Sequence, residues 1–393
     1  MLTRRSFGQL PSIAVRLKVE RAKNVDSIQI PLHSKYQYIR ADIWNNKETD
    51  MKNIIVAGAL AATSFIAPQM AAAQSPTVQQ IMDRGTMLCS GHNGSYFGFI
   101  EVNDQNEWKG LDIDLCRALT TAILGDPDAN QIVPLSWAQR FPALQSGDVD
   151  VIIKATGWTM GRDTELGLQF SLPYFFGGTQ FMAHGDLGIT DASGLEGGTV
   201  CVEAGTTIER LAANHMTTIG VEHTMVSYES QAELRSAYLA NRCDAFAGWG
   251  PNLAVLRATE LDNPDAHVIL NDQLSSEPIS AAMRQGDEGF VDTVNWMIAA
   301  LLIAEEEGIT SANVEEMAAT PPNPRVARLL GVEPGMGERL GMRDTWAREM
   351  IAAVGNFAEI YDRNLGKDSP YNLERGLNSL WSDGGVLYAP ILD

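Results

Sequence analysis

Residues 140–163 read RFPALQSGDVDVIIKATGWTMGRD. The opening RFPALQ starts a short helix. The run Val149–Ile153 (VDVII) is continuous and β-branched, which predicts a buried strand. A turn containing Gly157 follows, and then Arg162, alone in a stretch of small, uncharged residues. Whether that arginine faces water or a ligand depends on what surrounds the strand.

The same alternation extends outward. Helical TVQQIMDRG precedes a strand at Thr86–Ser90. Asp112–Leu124 places Ile113, Cys116, Leu119 and Ile123 at helical spacing, and Gln131–Leu135 is strand-like. This β-α-β-α-β order implies a mainly parallel sheet with helices on both faces. It then recurs: Gly198–Glu203 is a strand, AGTTIERLAANH opens a helix, His223–Tyr228 is a strand, QAELRSAYLAN a helix, CDAFAG a strand and NLAVLRATE a helix. Two α/β units result. FFGGTQFMAHG lies between them and Pro278–Met283 follows the second. Both segments read as extended, so the chain crosses twice and forms a two-segment hinge. From Asp287 the tail is helix-rich, interrupted by the TPPNP turn at 320–324.

An export signal starts at Met51. MKNIIVAGALAATSFIAPQMAAAQS has Lys52 as its positive region, an apolar run over Ile54–Ala67 and a small-residue exit at Ala71-Ala72-Ala73. The run is shorter than the ~20 residues a membrane span needs. Residues 1–50 have no core periodicity and read as an upstream extension from a misplaced start. Arg4-Arg5 lacks the apolar region that a twin-arginine signal requires. Residues 1–73 carry ten of the 29 Lys and Arg and five of the 49 Asp and Glu, so 19 against 44 remain, a net charge of −25. Such acidity argues against nucleic acid and anionic membrane surfaces as partners. Cys89, Cys116, Cys201 and Cys243 are an even set in an exported chain, which favours disulfides. There is no C-x-x-C pair and no short histidine spacing, so no metal site is expected. Asp126–Trp137 fails as a calcium loop at its sixth and twelfth positions, and Gly335–Gly341 lacks dinucleotide-loop spacing.

KGLDIDLCRAL, RFPALQSGDVDVI, WTMGRDTELGLQFSLPYF, CVEAGTTIERL and EPISAAMRQGD, in this order, resemble the extracytoplasmic amino-acid-binding proteins of bacterial ABC importers, the general L-amino-acid binders above all. The resemblance covers nearly all of 77–393. It implies an α/β type II periplasmic binding protein: lobe 1 at 77–180 plus 280–393 with the helical tail, lobe 2 at 181–279, and a ligand enclosed by hinge closure. It implies periplasmic location, docking on inner-membrane permease subunits, a monomer and no cofactor. The lobe assignment predicts the bonds Cys89–Cys116 and Cys201–Cys243, because a bond between lobes would lock the hinge.

In open α/β sheets, ligands sit beyond the carboxyl ends of strands, where Thr156 and Gly157 fall. Gly157 permits close backbone approach, and Arg162 can clamp a carboxylate with two parallel hydrogen bonds. The resemblance gives Arg162 that role toward the ligand's α-carboxylate; an ordinary surface arginine is the alternative. Gly205-Thr206-Thr207 opens a helix whose free N–H groups attract anions, or Thr206 is simply an N-cap. Tyr96, Phe97 and Trp137 match positions that the family uses for pocket walls, or they pack in the core.

Two anchor regions depart from the pattern. Amino-acid-binding members carry an ammonium-binding aspartate where this chain has Trp249, and a polar Arg-Asn-Thr-Thr run where it has Lys154-Ala155-Thr156-Gly157. A buried ammonium without a counter-charge is costly. Glu203 is the candidate replacement. Alternatively Glu203 pairs with Lys154 across the cleft, and the ligand is a carboxylate without an amino group, stacked on Trp249. An enzyme of the same fold, dehydratase-like, would need paired pocket carboxylates, of which Glu203 alone is evident. A membrane-tethered sensor is disfavoured, since no span follows the lobes.

Overall fold

Helix Leu111–Leu124 is buried along almost its whole length, which requires cover on every side. In the computed structural model, which describes residues 75–393 apart from 260 and 262, the cover comes from three directions. The strand Met87–Ser90 lies on one side, tied to the helix by the Cys89–Cys116 disulfide. Helix Glu288–Glu306, apolar through its centre, packs on another. Helix Trp346–Val354 closes the third. Polar contacts fasten the tail: Arg363 Nε and Asn364 Nδ2 donate to Asp114 at 2.7 and 2.6 Å, and Arg343 donates to the helix's last carbonyls, Thr121 at 3.2 Å and Ile123 at 3.1 Å.

The first lobe's strands are short. Met87–Ser90 runs parallel to Asn130–Val133, and Cys89 bridges in parallel to Val151. The run Val149–Ile153 is buried at the centre, as its composition predicts, and Ile152 bridges antiparallel to Ala282. Ala282–Arg284 in turn pairs with Leu168–Phe170.

The second lobe has one five-stranded sheet. Its order is His267–Ile269, Thr179–His184, Ala245–Trp249, Thr199–Glu203, Thr224–Tyr228. The last three are mutually parallel and the first two run against their neighbours. Cys201, in the middle of Thr199–Glu203, is joined to Cys243 just ahead of the neighbouring strand. Both disulfides therefore lie within lobes, as expected.

The crossings are the strands Phe175–Gly177 and Glu277–Ile279, paired antiparallel. This is the two-segment hinge read from the sequence. One tail segment differs from a single helical run: TWAREMIAAVGNFAEIYDRNL breaks into Trp346–Val354 and Phe357–Asn364. Asn356 caps the second helix by accepting from Glu359 N, while Glu359 accepts from Asn356 N. That capping box makes a fresh start cheaper than continuation. The extension and signal read at 1–50 and 51–73 lie outside the described residues. Among the described residues no helix is long and apolar enough to cross a membrane.

Candidate ligand-binding site

The turn after Ile153 is held from two sides. Asp112, at the start of the buried helix, accepts from Ala155 N at 2.8 Å and from the Tyr174 hydroxyl at 2.8 Å. This fixes Ala155 at φ 34°, a left-handed conformation unusual for a residue with a Cβ. Burial raises the Asp112 carboxyl to about 7, against the pull of those two donors. On the other side the hinge strand takes hold: Trp158 N donates to Pro278 O and Ser280 N to Thr156 O, both at 3.0 Å. This pairing of Gly157 with Ile279 leaves the N–H and C=O of Gly157 outside the ladder. Its carbonyl accepts from Arg162 Nη1 at 2.6 Å.

Arg162 comes back to this turn because Thr159 caps its short helix, accepting from Arg162 N at 3.3 Å. The guanidinium is mostly buried, and burial lowers its pKa to about 10, with Glu277 opposing that fall. A Cβ on Gly157 would lie 2.8 Å from Glu277 Oε2 and 3.6 Å from Arg162 Nη1. The glycine therefore sits between a carboxylate and a guanidinium, and any side chain there would fill the gap.

The second lobe faces this turn with Glu203, at the end of its strand, and with Thr206 and Thr207 at a helix start. Thr206 is an N-cap, accepting from Glu209 N at 3.2 Å, and it also lines the cavity. Thr207 donates to Glu277 at 3.3 Å. Tyr96, Trp137, Gly157, Arg162, Glu203 and Trp249 line the same cavity. The lobes touch around it: Arg140 Nη1 reaches Gly205 O at 3.5 Å, Asn252 Nδ2 reaches Phe97 O at 3.4 Å, and His92 Nε2 lies 3.7 Å from Glu203.

Three expected site residues lie outside the cavity. Lys154 is fully buried beneath it, its ammonium donating to the Gly91 carbonyl at 3.1 Å and to Leu135 O, 4.6 Å from the Trp137 ring. It makes no ion pair with Glu203: the ammonium is already occupied by carbonyls of its own lobe. Thr156 turns its hydroxyl onto Lys154 O at 2.7 Å. Phe97 packs against the cores and contributes its carbonyl to Asn252. Trp249 lines the cavity but is held by Phe99 and Phe175, at 4.9 and 5.1 Å between ring centroids. Gly177 makes room for its indole, since a Cβ there would fall 2.2 Å from Nε1.

Arg140, Gln231, Asn252 and Glu277 were missed in the sequence and line the cavity. Arg140 is buried; burial and the like charge of Arg162 lower its pKa. Glu277 accepts from Ser275 and Thr179 hydroxyls at 2.6 and 2.9 Å. The only sequence signal for it was its position next to Pro278 in an extended crossing.

The polar atoms here are short of protein partners. Trp137 Nε1, Arg140 Nε, Glu203 Oε1, Gln231 Oε1 and Trp249 Nε1 are all buried without a hydrogen bond, as are both ring nitrogens of neighbouring His92. Buried polar groups are nearly always paired, so their concentration in one cavity points to a polar ligand. Burial raises Glu203 to about 7, opposed by Trp137, Lys154, the Gln231 N–H and Arg140. The Trp137 N–H favours the anion from nearby, although its geometry falls short of a hydrogen bond. Burial, with the Lys154 and Arg140 charges, drives His92 down to about 2, so its imidazole is neutral.

A carboxyl with a raised folded pKa stabilises the fold below its unfolded value of 4.5 and loses that contribution as pH rises to about 7. Without ligand, Glu203→Gln is therefore expected to raise Tm by a few °C relative to wild type at pH 8, and by much less at pH 4.5, for a pKa difference worth on the order of 3 kcal/mol. Thermal unfolding at the two pH values measures it; an identical offset at both would refute the buried-charge assignment.

The sequence profile of the bacterial extracellular solute-binding proteins, family 3, matches residues 88–307. The chain belongs to that family. It is 40% identical to the general L-amino-acid-binding periplasmic protein of Rhizobium johnstonii, over 86% of this chain and 99% of the relative. It is 38% identical to a glutamate/glutamine/aspartate/asparagine-binding protein of Rhodobacter capsulatus, again over 86% and 99%. A solved ABC transporter periplasmic binding protein from Brucella ovis, with glutathione bound, superposes with a TM-score of 0.76 at 42% identity, covering 80% of this chain and 98% of that one. As a family 3 member, this chain is a substrate-binding protein. Among the described residues no cluster of His, Cys, Asp or Glu is placed to hold a metal.

Proposed function

We propose that this protein is the periplasmic capture subunit of an ABC importer for amino acids or small amino-acid derivatives. One observation carries the reading: Arg162 and Glu277 flank Gly157, so a guanidinium and a carboxylate stand a few ångströms apart in a cavity of unpaired polar atoms. A molecule bearing an α-carboxylate and an α-ammonium on one carbon matches that pair. The carboxylate binds Arg162 and the free amides around Gly157 and Thr207. The ammonium binds Glu277, which takes the part first considered for Glu203. Glu203, beside Trp137 and Gln231 in the same cavity, meets polar groups of the ligand close to its α-carbon. Lobes at 77–180 with 280–393 and at 181–279 close on the ligand about the paired hinge strands. The closed form, a monomer exported through the signal at Met51, delivers its cargo to permease subunits in the inner membrane.

The competing readings are an enzyme of the same fold and a binder of carboxylates without an amino group. A thermal-shift screen of amino acids, small peptides and their deaminated analogues separates them, followed by mass spectrometry of the recovered ligand. Ligand at 100 times Kd adds about 2.7 kcal/mol of stability. The expected outcome is a shift with α-amino compounds, recovered chemically unchanged. A converted ligand would establish an enzyme. Shifts with deaminated carboxylates alone would overturn the amino-acid assignment.

A further inference from the structure

The cavity does not end at Arg162. A second, more open groove shares Arg162, Thr206 and Thr207 with it and continues outward between Phe141, Met160 and Arg210. Phe141 lines it, with the guanidinium carbons of Arg140 and Arg162 at 4.2 and 5.2 Å from the ring centroid. Met160 is 80% exposed along the wall. Arg210 lies one turn into the helix Thr207–Ile219, three residues beyond Thr207 and so on the same face. It is exposed and has no ion pair among the described residues. Arg162 feels its charge. On the opposite lobe Glu165, also exposed, lines the same groove.

Three arginines are thus shared out over the two spaces, Arg140 in the cavity, Arg162 in both and Arg210 in the groove, in a chain otherwise strongly acidic. Low-dielectric walls focus such a local positive field onto whatever enters the cleft. A single amino acid held at Arg162 and Glu277 leaves Arg210 without a partner. An amino acid lengthened through an amide does not.

We propose that the outer groove is a second subsite, in which Arg210 binds the distal carboxylate of an elongated ligand, an amino acid extended through its side chain by one or two amide-linked residues, so that its α-carboxylate and α-ammonium stay free. This rests on the assignment of Arg162 and Glu277 above. Phe141 and Met160 supply apolar surface for the linker. The alternative role for Arg210 is a latch, closing onto Glu165 across the cleft whatever the ligand.

Titration calorimetry on the protein expressed from its full sequence tests the subsite. The probes are glutamine, glutathione, and glutathione esterified at its glycine carboxylate. Wild type is expected to bind glutathione about 10-fold or more tighter than the ester, the effect of one charge-assisted contact. Arg210→Ala should bring that ratio close to one, and Arg210→Lys should restore part of it. An unchanged ratio in Arg210→Ala overturns the subsite. Equal weakening of all three probes also overturns it and establishes the latch. Binding of glutamine without glutathione in wild type excludes the elongated ligand. Binding of none of the three overturns the Arg162–Glu277 assignment itself, an outcome distinct from indifference at position 210.

Discussion

Arg162→Ala is expected to lower affinity for any carboxylate ligand by about 30- to 4,000-fold, since removing one member of a desolvated charge pair costs ~2–5 kcal/mol. Arg162 donates only one nitrogen to the protein, to Gly157 O, and lines both the cavity and the groove. Its remaining donors face the space between the lobes. The fold itself should tolerate the change, because the lost guanidinium is one that burial already penalises. Arg162→Lys keeps the charge and loses the paired geometry, so it should fall between the two. Calorimetry measures the affinities, and thermal unfolding without ligand separates a binding defect from a folding one. Affinity within about twofold of wild type in a folded Arg162→Ala protein would remove the arginine from the site.

The second large effect distinguishes the two cleft carboxylates. Glu277→Gln should weaken an α-amino acid about 10- to 100-fold, as for a hydrogen bond to a charged group, while its analogue without the amino group loses little. Glu203→Gln should weaken both in similar proportion, because Glu203 faces Trp137, Gln231 and His92 rather than Arg162. The α-carbon holds ammonium and carboxylate side by side, so the ammonium's partner belongs beside the carboxylate's, where Glu277 lies. If Glu203→Gln proves to be the selective variant instead, the role returns to Glu203.

Much of the frame was legible because it is local. Val149–Ile153 announces a buried strand by composition, Thr206 announces a helix start, and the two crossings lie where regular patterns lapse. The order of helix, strand and turn places Gly157 and Arg162 at a sheet edge from the sequence alone. Glu277 was not legible, because its place depends on pairing with Phe175–Gly177, a hundred residues earlier in the chain. Arg140 reads as the ordinary polar start of a helix; it is buried by the Trp137 and Phe141 rings of its own lobe and by the opposing lobe, whose Gly205 carbonyl it meets. Lys154 failed in the opposite sense. Its position after the strand points to the cleft, yet its ammonium donates to the Gly91 and Leu135 carbonyls within its own lobe. Charged residues near a cleft are thus assigned by which partners the fold leaves over, and that is a property of the assembled lobes.

A crystal structure of the protein loaded with the best ligand from the screen tests the central claim most directly. The expected result is one molecule between the lobes, its α-carboxylate in paired hydrogen bonds with Arg162 and its ammonium on Glu277. A ligand bound with Arg162 still turned only to Gly157 O, or with its ammonium away from Glu277, would contradict it.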